Sequence, residues 1–191
     1  MPAPVLTTTS YAILGQLALR DWTMYDLARQ MRQNVTFFFP RAESQVYAEP
    51  KRLVAAGLAP AGRVALAEWL ATPPASRFQF EFEVLLRVML APFGRDEDLV
   101  QAFGKAKGDA AGLVDLAHAI RAEYLDGRAP FQRHIVWRAF LLDFLMEFGE
   151  AMEDWAERSL DRVRAWEGET EEERRAAARA IIERAGRRRP R

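Results

Sequence analysis

Between Arg41 and Arg52 the chain reads RAESQVYAEPKR, and its polar side chains are of the types that can read base edges in a DNA major groove. On a helix from Ser44 to Ala56, at about 100° per residue, Val46, Pro50, Leu53 and Val54 gather on one side. Ser44, Gln45, Ala48 and Arg52 then face outward, with Tyr47 and Lys51 on one flank. Gln can pair with an adenine edge, Arg or Lys with guanine, and the Ala methyl can touch thymine. The roles this predicts are base edges for Ser44 and Gln45, phosphates or guanine for Arg41, Lys51 and Arg52, and a phosphate or sugar for Tyr47. Pro50 has no amide hydrogen and leaves the Val46 carbonyl unpaired, which predicts a kink there. An ordinary amphipathic helix with a solvated face carries the same pattern, so the neighbouring elements have to decide.

Two helices are expected upstream. Thr7 to Leu19, with Tyr11, Ile13, Leu14, Leu17 and Leu19, follows a Thr/Ser cluster able to cap it. Thr23 can cap a second helix from Met24 to Arg32, where Met24, Leu27, Ala28 and Met31 recur at helical spacing. A loop containing Pro40 leads to the third. Three short helices, the last polar on its outer side, fit a helix-turn-helix head.

Over residues 8 to 74 the segments SYAILGQLALRDWTMYDLARQM, FFFPRAESQVYAEPKRLVAAGL and PAGRVALAEWLATPP resemble the PadR family of bacterial transcriptional regulators. The resemblance rests on Tyr11 to Gly15, Tyr25 with Leu27, Ser44 through Tyr47, Lys51 to Leu53, Gly57-Leu58, and Pro60 to Arg63 leading into Leu66. It implies an N-terminal winged helix-turn-helix, a C-terminal helical dimerisation domain, a homodimer, and in some members induction by phenolic or flat apolar compounds. One departure stands out. Family members carry a two-stranded wing between the Gly-Leu that ends the third helix and the Pro-Ala-Gly that opens the fourth, but here only Ala59 separates Leu58 from Pro60. A hairpin needs roughly 12 to 17 residues. Either the wing is lost or a segment is missing between these two flanks, whose intact appearance favours a missing segment.

Consecutive prolines in Thr72-Pro-Pro-Ala-Ser76 stop the helix expected to start near Ala61. Phe78, Phe80 and Phe82 alternate as in a strand, yet Val84, Leu85, Val88 and Met89 predict helix from about Glu81. Asp96 to Asp98 can cap a long segment to Asp126, with breaks expected around Gly104, Gly108 and Gly112. From Phe131 to Trp166, Trp137, Leu141, Phe144, Phe148, Ala151 and Trp155 step by four and three residues, the spacing of a coiled-coil seam. A helix of about 50 Å is more than a small helical domain can cover, so Trp137, Leu141, Phe144, Phe148 and Trp155 are the expected dimerisation residues. A final helix is expected from Glu171 to Arg184, capped by Thr170 and packed through Ala177, Ile181 and Ile182.

The expected organisation is a DNA-binding head over 1–72, a linker over 73–77, a helical dimerisation domain over 78–185 and a basic tail over 186–191. Net charge is zero, but it is segregated: residues 1–60 hold six Lys or Arg against four acids, whereas 141–173 hold twelve acids against three Arg. An acidic body can point away from phosphates while the head meets them. The absence of cysteine excludes disulfides and thiol chemistry. No P-loop, GxGxxG, GxSxG or HExxH occurs, and His118 and His134 lack a partner at an obvious metal spacing, so neither an enzyme nor a cofactor is expected. No apolar run is long enough to span a bilayer, and a cytoplasmic location with no membrane partner is expected. The expected partners are duplex DNA bearing an inverted repeat, a second copy of the chain, and a small aromatic effector. Trp22, Phe37, Phe38, Phe39, Trp137 and Phe140 are candidate walls for such an effector, although aromatics at these spacings also serve as core. A winged-helix interaction module without DNA binding is the alternative.

Overall fold

The computed structural model describes residues 6–34, 47–55, 58–74 and 80–187, and among them every regular element is helical. The chain divides into two compact units, Met1–Gln79 and Phe80–Arg191.

In the first unit α1 runs from Thr8 to Leu19 and α2 from Met24 to Asn34. Thr7 caps α1 as its sequence predicts: its hydroxyl accepts the Ser10 amide at 3.2 Å, and Ser10 Oγ in return accepts the Thr7 amide at 2.8 Å. Thr23 opens α2 by accepting the Asp26 amide at 3.1 Å while donating to the Asp26 carboxylate at 2.8 Å. One face of each helix then meets the other. Ile13, Leu14, Leu27, Ala28 and Met31 are buried together with Leu53 of α3 (Glu49–Ala55), and Leu6, Tyr11, Ala12 and Trp22 pack around them. Burying each large side chain of this set stabilises the unit by about 1.5–3 kcal/mol. Leu17 and Met24, expected among the apolar set, stay 40% and 39% exposed because they lie at its margin.

Helix α4 spans Leu58–Ala71 and packs on α1. At their crossing Gly62 is buried, and a Cβ on it would stand 2.7 Å from Leu14 Cδ2. Further along, the Tyr11 and Trp69 rings stack at 4.7 Å. Two expectations are corrected here. Leu58 opens α4 instead of closing α3, so α4 begins three residues earlier than Ala61; Pro60 fits inside its first turn, where amide hydrogens have no intrahelical partner anyway. Only residues 56 and 57 separate α3 from α4, which leaves no room for a wing at this junction.

In the second unit Phe82 leads into α5 (Glu83–Met89), a short 3-10 turn follows at Ala91–Phe93, and α6 runs from Asp96 to Leu125. The breaks expected at Gly104, Gly108 and Gly112 are absent, since isolated glycines weaken a helix without ending one. Gly127, at φ +71°, turns the chain after α6. Phe131 also takes a left-handed conformation, at φ 62°, before a 3-10 turn and α7 (Ile135–Arg164). Helices α6 and α7 are antiparallel: Phe103 meets Trp155 at one end, and Leu113 and Val114 approach Gly149 further along. Val84, Leu99, Ala102, Phe103, Ala106, Ala156, Leu160 and Val163 form the core where α5 covers this hairpin, with Phe82, Trp155 and Trp166 against it.

Helix α8 (Glu171–Arg187) is capped as expected, with the Thr170 hydroxyl and the Glu173 carboxylate exchanging backbone hydrogen bonds at 3.3 and 2.8 Å. Arg174 ties its first turn down through Asp96 at 3.1 Å and the Trp166 carbonyl at 2.9 Å. The packing expected of Ile181 and Ile182 is not found: they are 44% and 71% exposed, because they lie two turns beyond that tether.

Candidate nucleic-acid interface

Helix α3 owes its position to three inward residues. Glu49, Pro50 and Leu53 are buried, whereas Tyr47 is 52% exposed and Ala48 and Lys51 are also exposed. The short element therefore presents Tyr47, Ala48 and Lys51 on one side and grips the head with the other. Arg52 lies within α3, while Arg41, Ser44 and Gln45 fall outside the described residues, as do Phe37, Phe38 and Phe39. The helix expected from Ser44 is described only from Glu49, after a turn at Tyr47 and Ala48. Pro50 consequently sits in the first turn, where its missing amide breaks no intrahelical bond, and the reason for a kink disappears.

The residue that composition conceals is Glu49. In the sequence it is one of four acids in the first sixty residues; in the fold it is 7% exposed, and its carboxylate accepts a hydrogen bond from the hydroxyl of Ser10, which is 0% exposed. The available signal was its position one turn before Leu53, on the same face of α3. The exposed cations Arg20, Arg29, Arg32 and Arg63 belong to the same unit as α3. The Arg20 guanidinium rests 3.8 Å over the Trp22 ring, and Arg63 donates to the Ala18 carbonyl at 3.4 Å. Trp22 itself donates to the Gln16 carbonyl at 2.7 Å, which makes it a structural residue of the head.

The five seam residues of the second unit divide into two groups. Trp155 is half-buried between Phe82 and Phe103, with ring centroids at 5.9 and 5.4 Å, and Phe148 meets Phe80 edge-on at 5.9 Å. Both serve the core of their own chain. Trp137, Leu141 and Phe144 are 69%, 42% and 47% exposed, next to Ile135, Val136 and Phe140 on the first turns of α7. Among the described residues this end of the hairpin is formed by α6, α7 and the 3-10 turn before α7, and these apolar side chains are exposed.

Chemistry of other kinds finds little support among the described residues. They contain no group of three or more His, Asp or Glu able to hold a metal, and no helix long and apolar enough to cross a membrane. His118 is exposed, and His134 Nε2 accepts from Arg133 Nε at 3.0 Å. Shifted carboxylates are capping or paired groups: the Arg95 amide holds Asp98 below its usual range, and the Thr170 amide does so for Glu173. The hydrogen bond between Lys107 and Glu157 raises the lysine and lowers the acid.

No family model matches the sequence, and neither does any curated protein. Among solved structures, a PadR-like transcriptional regulator from Bacillus cereus matches with a TM-score of 0.68 at 15% identity, over 83% of this chain and 99% of that one. The Vibrio cholerae virulence activator AphA matches with a TM-score of 0.64 at 22% identity, again over 83% and 99%. Three helices gripping a short, outward-facing α3, followed by a long antiparallel helical hairpin, give this chain the fold of the PadR-like transcriptional regulators.

Proposed function

We propose that the chain is a PadR-family transcriptional regulator that binds DNA sequence-specifically as a homodimer and acts as a repressor. The single observation that carries this reading is α3: Glu49, Pro50 and Leu53 are buried while Tyr47 and Lys51 stand outward, in a chain with the fold of PadR-like regulators. Lys51, Arg52 and Arg41 would meet phosphates or guanine, Ser44 and Gln45 base edges, and Tyr47 a phosphate or sugar. The uncovered apolar surface of Trp137, Phe140, Leu141 and Phe144 supports a second copy as the dimer partner. Two heads related by a twofold axis would enter successive major grooves about 34–36 Å apart, so the operator would be an inverted repeat. A small aromatic effector that favours one arrangement of the dimer core would change the spacing of the heads and release DNA.

One observation favours a second reading, a protein-interaction module without DNA binding. Only residues 56 and 57 join α3 to α4, so the phosphate or minor-groove contacts of a wing are lacking at that junction. Selection of duplexes from a random-sequence library by the full-length chain, its length verified by mass, separates the two. The regulator reading expects an enriched inverted repeat, bound in a salt-dependent way and lost when Gln45 and Lys51 are both changed to Ala. No enrichment at physiological salt would favour the interaction module. Sedimentation of the same preparation tests the dimer, which substitution of Trp137 and Phe140 by Ser should convert to monomer.

A further inference from the structure

Two helices of the second unit expose apolar stripes whose charged edges have opposite signs. On α8, Ala178, Ile181, Ile182 and Ala185 recur at helical spacing along one side, and all four are exposed. At about 100° per residue Arg184 lies on the Ile181 edge of that stripe and Arg179 on the Ile182 edge, both exposed. From Arg174 to Arg184 the helix holds four arginines against one acid. Helix α7 carries the converse pattern. Its first turns expose Trp137, Phe140 and Leu141, and Asp143, Glu147 and Glu150 form an exposed row on the Phe140 edge of them.

These stripes cannot meet within one chain. Arg174 pins the first turn of α8 to Asp96 and the Trp166 carbonyl, at the end of the hairpin where α6 begins and α7 stops. Ile182 lies about 12 Å along α8 from that tether, whereas Leu141 lies about 35 Å back along α7 from Arg164. A second copy removes the mismatch. When two hairpins pair about a twofold axis with their α7 helices antiparallel, the end of each α7 comes beside the start of the other. Taking the homodimer reading as its basis, we propose that α8 of each chain docks on the first turns of α7 of a second copy. Ile181 and Ile182 then cover Trp137, Phe140 and Leu141, and an arginine edge of α8 faces Asp143, Glu147 and Glu150. The twofold axis makes the contact occur twice. Apolar burial supplies the affinity, while the charged edges set the direction of docking and disfavour wrong pairings.

Charge reversal in full-length protein tests the contact. Each reversed variant alone brings like charges together at both copies of it, and mixing the two variants restores opposite charges at both. Glu147→Arg/Glu150→Arg and Arg179→Glu/Arg184→Glu are each expected to weaken self-association in sedimentation by roughly tenfold or more at low salt. An equimolar mixture should recover the wild-type affinity and register as heterodimer by native mass spectrometry. The absence of cysteine permits a second measurement. Asp143→Cys or Glu147→Cys, mixed with Arg179→Cys or Arg184→Cys under oxidation, should give a disulfide-linked heterodimer in at least one combination, since the bond forms only across Cα separations below about 7 Å. Wild-type self-association by both reversed variants, a loss that mixing does not repair, or no cross-link in any combination overturns the docking and leaves the homodimer reading standing. Loss of DNA affinity by the α8 variant at unchanged sedimentation assigns α8 to DNA and likewise overturns it. Wild type that sediments as a monomer overturns both readings.

Discussion

Replacing Gly149 by Ala sets two effects of known sign against each other on the contact between α6 and α7. In the middle of an exposed helix the change is favourable, because Ala is better than Gly by about 0.8–1.0 kcal/mol. Gly149 is buried, and a Cβ there would stand 2.9 Å from Val114 Cγ2 and 3.5 Å from both Leu113 Cγ and the Val114 backbone nitrogen. Carbon atoms prefer about 3.5–4.0 Å, so the helices must separate or Val114 must turn. Val is stiff about χ1, and the backbone nitrogen behind it blocks easy retreat. Overpacking of this kind destabilises by about 1–3 kcal/mol. The sum is a net loss of about 0–2 kcal/mol, or a fall of up to roughly 10 °C in melting temperature. Gly104, Gly108 and Gly112 of α6 are internal controls, since a Cβ on each meets nothing within 4 Å. Each should gain up to about 1 kcal/mol when changed to Ala. Thermal melts of the four single variants, with a Gly149→Ala/Val114→Ala cycle, measure the contact directly. The cycle should show favourable coupling of about 0.5–3 kcal/mol, because removing the Val114 methyls makes room for the new one. Gly149→Ala that stabilises as much as Gly104→Ala, with no coupling to Val114, would refute the close approach of the two helices.

Further expectations concern separate parts of the chain. Leu53→Ala, which empties a site where α3 enters the head core, should destabilise the first unit by about 2–5 kcal/mol in chemical denaturation; a loss below about 1 kcal/mol would mean that α3 is not anchored there. Trp155→Ala should lower the melting temperature of the second unit, because Trp155 packs on Phe82 and Phe103, whereas Trp137→Ala should act on sedimentation with little change in helicity. Equal effects of the two substitutions on monomer stability would contradict the division of the seam. Glu173 titrates below its usual range when folded, so its contribution to α8 is present above the ordinary carboxylate range and is lost as pH falls through the lowered value. Acid titration followed by NMR should shift the Thr170 amide over that window in wild type but not in Glu173→Gln; an unshifted wild-type amide would remove the cap.

Local chemistry carried much of the fold into the sequence. Thr7, Thr23 and Thr170 announce helix starts through hydroxyls that meet amides three residues on, and such bonds need no distant partner. The spacing of Ile13 and Leu14, of Leu27 and Met31, and of Leu53 likewise selects the buried faces of α1, α2 and α3. Periodicity does less well where composition is uniform. Trp137 and Trp155 look equivalent along one seam, yet one is exposed and the other packs against Phe82 and Phe103, because α5 reaches only one end of the hairpin. Ile181 and Ile182 repeat at helical spacing and remain in solvent for a similar reason.

By itself, then, the sequence determined where helices begin, which of their faces are apolar, and that the outward residues near Lys51 suit a phosphate or a base edge. Those properties depend on neighbours within one or two turns, which the order of residues specifies directly. The tertiary structure alone decided that Glu49 faces inward to Ser10, thirty-nine residues away, and that Leu58 opens α4 instead of closing α3. It also decided which part of the α7 seam is exposed and which is packed within the chain. Each of these depends on an element distant along the chain arriving beside the residue, and helical periodicity holds no record of which element that will be.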